Sequence, residues 1–114
     1  MLFQPEHIDK TRLGKKTETR RIWKSWHAKV GGIYPMQTKM YQPRVECPLI
    51  KCTNRYLQPL GEMTEENAKA EGGYTLEEYR AVWERINNIS WDDSMVVYVV
   101  VYEYHGEGRD DQHR

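Results

Sequence analysis

The chain has 114 residues, of which 39% are hydrophobic and 30% are charged, a balance typical of one small globular domain. Its 17 basic side chains are matched by 17 acidic ones, so the net charge at pH 7 is zero. A neutral total argues against a protein that coats nucleic acid non-specifically, because that affinity depends on many phosphate contacts.

The first half of the chain predicts one helix and four strands. Residues 6–13 are expected to be helical, because Pro5 suits the first turn of a helix and Gly14 is a natural terminator. Stretches with β-branched and aromatic residues predict strands, at residues 1–4, 17–23, 33–40 and 49–56. Pro35 would then lie at a sheet edge or a bulge, since proline cannot donate to a strand ladder. Residues 24–31 are polar and end in glycine, which predicts a loop.

The second half predicts two helices and the strongest strand. Residues 64–70 are expected to form a short helix capped by Thr64. Thr75 and Glu78 make a capping-box pair at the start of the next helix, whose apolar residues recur at helical spacing up to Ile86 and predict core packing. Residues 95–104 are rich in valine and tyrosine, which predicts a strand buried on both faces.

This order of elements predicts an α+β fold, with flanking helices around a small mixed sheet or β-barrel. Residues 1–105 are expected to form a single domain, and the polar residues 106–114 a disordered tail. No apolar run reaches the ~18 residues of a membrane span, and no secretory signal is recognisable. The expected compartment is therefore the cytoplasm, without a membrane partner.

Neither a metal nor a cofactor is predicted. Cys47 and Cys52 lack a second pair with the spacing of zinc ligands. Two cysteines do not make a disulfide framework, so both thiols are expected to stay reduced. The four histidines form no local ligand pattern, and no glycine-rich phosphate loop is present.

Charge is concentrated in two segments of the chain. Residues 10–29 carry eight basic side chains against Glu18 alone, a local charge of +7, and residues 61–79 carry six acidic side chains against Lys69, a local charge of −5. Two interpretations remain open. The segments attract each other in the fold, or the basic segment is a surface for an anionic ligand.

Residues 14–21 concentrate reactive side chains at a predicted helix-to-strand junction. Strand alternation places Thr19 and Arg21 on one face, and Glu18 and Arg20 on the other. A threonine hydroxyl becomes a nucleophile only when a base takes its proton. Lysine can be that base only if burial or nearby cations lower its pKa. The alternative is a solvated strand whose arginines pair with glutamates.

Four positions, Gly14, Lys16, Thr19 and Arg21, fit the pattern G-x-K-x-x-T-x-R, which resembles the signature of the ASCH domain in the PUA-like superfamily. Residues 30–34 and 64–72 resemble two further segments of that family, so the likeness covers nearly the whole predicted domain. The resemblance implies a small β-barrel with flanking helices and a cleft beside the motif. It also implies a capacity to bind RNA.

One branch of the family, the small bacterial N4-acetylcytidine amidohydrolases, resembles the chain at three catalytic positions. The resemblance implies that Lys16 is the proton acceptor, Thr19 the nucleophile and Glu71 the proton donor. These three side chains should then converge on one concave site near Arg21. Glu71 would have to be protonated when it donates, although nearby cations would lower its pKa. The alternative is a plain Glu71–Lys16 salt bridge that holds a binding cleft.

Three functions therefore stay open for a chain that is expected to be a monomer. The first is hydrolysis of an acylated nucleoside or a similar small amide. The second is binding of a nucleoside-like ligand or single-stranded RNA without turnover, with Arg20, Arg21 and Lys24 contacting the ligand and Trp26 stacking on a base. The third is a protein-interaction domain with a vestigial cleft.

Overall fold

A computed structural model describes residues 1–108 of the chain. It contains three α-helices, which are Pro5–Arg12 (α1), Glu65–Ala70 (α2) and Leu76–Asn87 (α3). Its four strands are Glu18–Arg21 (β1), Ile33–Pro35 (β2), Pro48–Pro59 (β3) and Val96–Glu107 (β4). Two short 3-10 turns, Arg44–Glu46 and Leu60–Glu62, flank β3. The predicted α+β class is confirmed.

The four strands form one open sheet in the order β1-β4-β3-β2, and every neighbouring pair is antiparallel. The predicted mixed β-barrel is therefore wrong: within residues 1–108 the end strands β1 and β2 do not pair with each other. Barrel closure requires the end strands to tilt and pair, and these two have only four and three residues. A single parallel bridge, between Leu2 and Gln37, lies outside the sheet.

Strand β4 is the shared wall of two hydrophobic clusters. Val97 and Val99 face α2 and α3 in a cluster built around Trp83. Val100 and Tyr102 face the opposite side, where they pack in a cluster with α1 and the N-terminal segment. Because successive strand residues point to opposite faces, a strand covered on both sides needs the continuous apolar run that the sequence shows.

Both predicted helix starts in the second half of the chain are confirmed. The Thr64 side chain accepts a hydrogen bond from the Asn67 N–H at the start of α2. The Thr75 side chain accepts one from the Glu78 N–H at the start of α3. These caps satisfy N–H groups that have no partner inside the helix.

All five strand predictions differ from the structure in length. β1 is shorter than the predicted residues 17–23, and β3 continues past residue 56 to Pro59. Residues 1–4 make only the bridge at Leu2, and the strand predicted for residues 33–40 ends at Pro35. Pro35 lies on the edge strand β2, as its missing N–H requires. Strand β4 continues to Glu107, so residues 106 and 107 belong to the sheet rather than to the predicted tail. Residues 109–114 of that tail lie outside the described residues.

Two findings bear on the predictions about membranes and metals. No helix in residues 1–108 combines the length and apolar character needed to cross a bilayer. The same residues contain no group of three His, Cys, Asp or Glu side chains placed to hold a metal ion. Cys47 and Cys52 are both buried and unpaired with each other.

Candidate functional site

A cavity of about 460 Å³ lies at the free edge of β1, and we call it the β1 cavity. Its walls come from α3 on one side and from the N-terminal segment and residues 38–40 on the other. This volume lies in the range of small-molecule sites. The ionisable side chains and the one threonine of β1 in its lining are His7, Lys16, Thr19, Arg20, Arg21, Lys39, Glu71 and Tyr79.

Glu71, at the end of α2, is the centre of a buried ion network. Its Oε1 lies 2.8 Å from Lys16 Nζ, and its Oε2 lies 2.8 Å from Arg20 Nη1. The same Arg20 nitrogen also contacts Glu18 Oε1 at 2.8 Å. The Lys16 and Glu71 side chains are each 2% exposed. Two cations and two carboxylates therefore neutralise each other, and only Glu18, at 15% exposure, is appreciably open to solvent.

Lys16 has no spare hydrogen-bonding capacity in this arrangement. Its Nζ donates to Glu71 Oε1 at 2.8 Å, to the Glu71 carbonyl at 3.0 Å and to the Glu18 carbonyl at 2.8 Å. A lysine ammonium group has three N–H donors, so all three are used. Lys16 thus holds the end of α2 against β1 as a cation.

The ionisation of Glu71 follows from the same contacts. Burial acts to raise the pKa of Glu71, but the charges of Lys16 and Arg20 outweigh burial and hold that pKa below its usual range. Burial lowers the pKa of Lys16 even though Glu71 opposes this effect. At neutral pH Glu71 is a carboxylate, and the structure contains the salt bridge that was the alternative to a proton donor.

Thr19 and Arg21 lie on the other face of β1 and contact each other, as strand alternation predicts. Arg21 Nε donates to Thr19 Oγ1 at 3.0 Å, and the guanidinium lies 4.5 Å from the centre of the Phe3 ring. No carboxylate in residues 1–108 forms an ion pair with Arg21. Burial lowers the pKa of Arg21 from its ordinary value, which is the effect expected for a cation without a close anion.

The structure brings most of the predicted site residues together, but not all. Lys16, Thr19 and Glu71 line the β1 cavity together with Arg20 and Arg21. The Arg20 side chain is fully enclosed, so it serves the ion network and is not free to contact a ligand. Among the hydrogen bonds of the described residues, none joins Lys16 to Thr19.

The remaining two predicted binding residues lie elsewhere. Lys24 is exposed, and Trp26 packs edge-on against Tyr98 with 4.9 Å between ring centres. The Arg55 guanidinium covers Trp26 at 4.6 Å. Neither Lys24 nor Trp26 is among the described residues that line the β1 cavity. Trp26, Tyr98 and Arg55 therefore form a basic and aromatic group that is separate from the residues lining the cavity.

Sequence reasoning missed three features of the cavity wall. Lys39 and Met40 reach the rim from the loop after β2, and no local pattern marks them. Trp83 was predicted as core, and it is buried, yet it also lines the cavity. His7 is buried on the inner face of α1 beside Ile8, and that helical position was the available signal.

His7 is expected to make the stability of the fold depend on pH. Burial, followed by the charge of Lys16, lowers the pKa of His7 to about 4, and its Nε2 lies 3.0 Å from the Tyr74 hydroxyl. The folded state binds the proton less well than the unfolded state, so stability is full above about pH 6.5 and falls as the pH drops toward 4.

Between pH 7.5 and pH 5 we expect the free energy of unfolding to fall by about 2 kcal/mol through His7. Urea unfolding at the two pH values measures this change. The variant His7→Gln should lose most of it, whereas the exposed His105→Gln should behave like the parent protein. An equal pH dependence in all three proteins would contradict the assignment.

Several solved structures share this fold. Protein EF3133 from Enterococcus faecalis V583, of the DUF984 family, aligns with 94% of the chain and 71% of its own length, at 18% identity and a TM-score of 0.65. An ASCH domain from Lactobacillus crispatus JV V101 aligns over 87% of the chain and 71% of its own, at 17% identity and a TM-score of 0.64. The hypothetical protein PH0355 aligns over 92% of the chain and 96% of its own length, at 20% identity and a TM-score of 0.69.

No protein-family model matches the sequence, and no match was found among curated proteins. At the low identities of the structural matches, the likeness concerns the fold and carries no activity with it. The structural matches confirm, for the fold, the family resemblance that was drawn from the motif at Gly14–Arg21. The chain has the fold of an ASCH domain.

Proposed function

We propose that the β1 cavity binds a small anionic ligand of the nucleotide type and that Arg21 holds its negative group. The observation that carries this proposal is the contrast between two neighbouring arginines. Arg20 is enclosed and paired with two carboxylates, whereas Arg21 lines the cavity with no ion-pair partner in the described chain. A guanidinium presents parallel N–H donors that fit phosphate and carboxylate oxygens.

The charge of the cavity wall supports an anion. The residues that line it include four basic ones, Lys16, Arg20, Arg21 and Lys39, against the single carboxylate of Glu71, an excess of three. The Arg20 charge lies behind the wall, because its side chain is enclosed. Including Glu18, which pairs with Arg20, leaves an excess of two. The overall charge of the chain is zero, so this local surplus favours a small charged ligand over a long polyanion.

The apolar part of the wall supports a flat ligand. Phe3 lies on the α1 side of the cavity, and Tyr79 and Trp83 lie on the α3 side. Aromatic walls with a few convergent polar groups are the usual lining of sites that bind nucleotides and other planar molecules. The ASCH-type fold agrees with the nucleoside-like ligand that the motif implies.

Calorimetry with cytidine and adenosine 5′-monophosphates tests the proposal. Whichever of the two nucleotides binds the parent protein more tightly should bind the Arg21→Gln variant about tenfold or more weakly, because a charge-assisted hydrogen bond contributes roughly 1.5–3 kcal/mol. Lys24→Gln, which removes an exposed charge outside the cavity, is the matched control and should bind like the parent protein.

Two results would contradict the proposal. One is equal affinity of the parent protein and Arg21→Gln. The other is failure of both monophosphates to bind, while a single-stranded RNA oligonucleotide binds and is weakened by Lys24→Gln and Trp26→Ala but not by Arg21→Gln. That second pattern would place RNA binding on the separate surface around Trp26 and Arg55.

Hydrolysis of an acylated nucleoside such as N4-acetylcytidine is a second candidate function. It is favoured by one specific observation: Thr19, Lys16 and Glu71 line the same cavity, with 2.8 Å between Lys16 Nζ and Glu71 Oε1. One proton transfer along that contact would give a neutral amine and a protonated carboxyl group. Burial favours this neutral pair, whereas the charge of Arg20 opposes it.

The chemistry of this candidate can be written with atoms and protons balanced. The Thr19 oxygen forms a bond to the amide carbonyl carbon while its proton passes to Lys16. The bond from that carbon to the nitrogen of the nucleobase then breaks, and Glu71 supplies the proton that this leaving amine needs. Water hydrolyses the threonine ester and restores the hydroxyl. Arg21, which donates to Thr19 Oγ1, would stabilise the developing negative charge.

A further inference from the structure

The main-chain N–H and C=O groups of β1 point alternately toward β4 and away from the sheet. Tyr102 N donates to the Thr17 carbonyl at 2.9 Å, and the same register pairs Thr19 with Val100 and Arg21 with Tyr98. The main-chain groups of Thr19 and Arg21 therefore turn toward β4. The main-chain groups of Glu18 and Arg20 therefore point away from the sheet. The Glu18 carbonyl confirms this direction, because it accepts from Lys16 Nζ at 2.8 Å.

Arg20 reaches the β1 cavity with its main chain. Its side chain is 0% exposed, yet the residue as a whole is 4% exposed and lines the cavity. The exposed atoms must therefore be backbone. Outside the β1–β4 ladder, neither its N–H nor its C=O has a hydrogen-bond partner in residues 1–108. Such groups are nearly always satisfied by protein, water or ligand.

We infer that the outward N–H and C=O of Arg20 recognise the edge of a planar ring that carries a donor next to an acceptor, while Arg21 holds the anion. This inference rests on the proposed function of the β1 cavity. The N–H and C=O of one edge residue stand side by side in the plane of the sheet. They offer the same donor–acceptor pair with which an asparagine amide reads adenine.

The surroundings of Arg20 favour a flat ring at this position. Phe3 and Arg21 lie beside one face of β1, and Glu71 and Trp83 lie beside the other. The main-chain edge of β1 at Arg20 therefore lies between these two groups of side chains. A planar ring that enters between them presents its own edge to the Arg20 N–H and C=O.

An extended peptide is the competing occupant, because a free strand edge can also accept an added strand. Strand addition uses the outward groups of alternate residues. In β1 the Glu18 carbonyl is already bound by Lys16, which leaves only the Arg20 pair within the strand. One pair suits the edge of a small ring better than it suits a new strand.

The test changes the ligand, since a substitution at Arg20 would break the ion network. The protein is labelled with ¹⁵N at arginine and titrated with cytidine 5′-monophosphate and its N4,N4-dimethyl derivative, which has lost the edge donor. The unmodified nucleotide should shift the Arg20 amide resonance and slow its hydrogen exchange. The dimethyl derivative should bind at least tenfold more weakly and leave that resonance in place.

The outcomes separate the two proposals. Equal binding of both nucleotides with an unmoved Arg20 amide overturns the edge recognition; the proposed function survives if Arg21→Gln still weakens binding. Failure of both nucleotides and of adenosine 5′-monophosphate to bind overturns both proposals. Slowed exchange at Arg20 upon adding an extended peptide, but not a nucleotide, assigns the edge to strand addition and also overturns the inference.

Discussion

Replacing Glu71 by glutamine is expected to lower the free energy of unfolding by about 3–5 kcal/mol. The amide cannot balance the charges of Lys16 and Arg20, whose side chains are 2% and 0% exposed. Burying an unpaired charge is among the largest single-residue effects on stability. Urea unfolding at pH 7 measures the change. Glu66→Gln, on the exposed side of α2, is the matched control and should stay within about 0.5 kcal/mol of the parent protein.

A double substitution shows whether the charges are the cause. Adding Lys16→Met to Glu71→Gln removes one of the two unpaired cations. The double variant should therefore lose less stability than the two single variants lose together, by roughly 0.5–3 kcal/mol. The pH dependence gives a second check. Because the pKa of Glu71 is lowered in the fold, its contribution is present at neutral pH and is lost as the pH falls below the usual carboxyl range. A Glu71→Gln protein as stable as the parent would disprove the role assigned to the network.

If the cavity hydrolyses N4-acetylcytidine, Thr19→Ala is expected to lower its turnover by at least about a thousandfold. The substitution removes the only atom that would form the acyl bond. Binding should change by no more than one hydrogen bond, roughly 0.5–1.5 kcal/mol, since Arg21 and the aromatic walls remain. Chromatography of released cytidine and calorimetry with the same nucleoside measure the two effects.

Thr19→Ser is the appropriate control, because it keeps the hydroxyl and should retain measurable turnover. Lys16→Ala cannot serve this purpose: Lys16 makes three hydrogen bonds in the ion network, so its loss would affect the fold together with any catalysis. Full turnover by Thr19→Ala would exclude Thr19 as the nucleophile. The binding function would then stand without this chemistry.

Local patterns predicted the helices and the central strand well. The N-cap at Thr64 and the capping pair of Thr75 with Glu78 were predicted from residues within one turn, and the apolar run of β4 indicates burial on both faces. Such signals lie within one segment and need no knowledge of the rest of the fold. The end of β2 at Pro35 was not predictable in the same way, because strand length depends on the partner strand and not on local preference.

The candidate site was found by its motif, but its electrostatics were not. Nothing local to Lys16 or Arg20 indicates that both side chains would be enclosed, since burial depends on how α2 meets β1. Attraction between the opposite charges of residues 10–29 and 61–79 was one of the two interpretations that the sequence left open, and Glu71 joins the two segments in the structure. Lys24 and Trp26 illustrate the limit: they follow the motif closely in sequence, yet lie away from the cavity.

The central position of β4 constrains when the site can exist during folding. Within residues 1–108, β1 forms its ladder with β4 alone, in a register that joins Glu18 to Val101. Pairing between such distant parts of a chain is slow, because the long intervening loop must close first. During synthesis the basic segment therefore leaves the ribosome well before the strand that it needs. Until β4 docks, Lys16 and Arg20 remain hydrated, and a nascent chain has no cavity with which to bind a ligand.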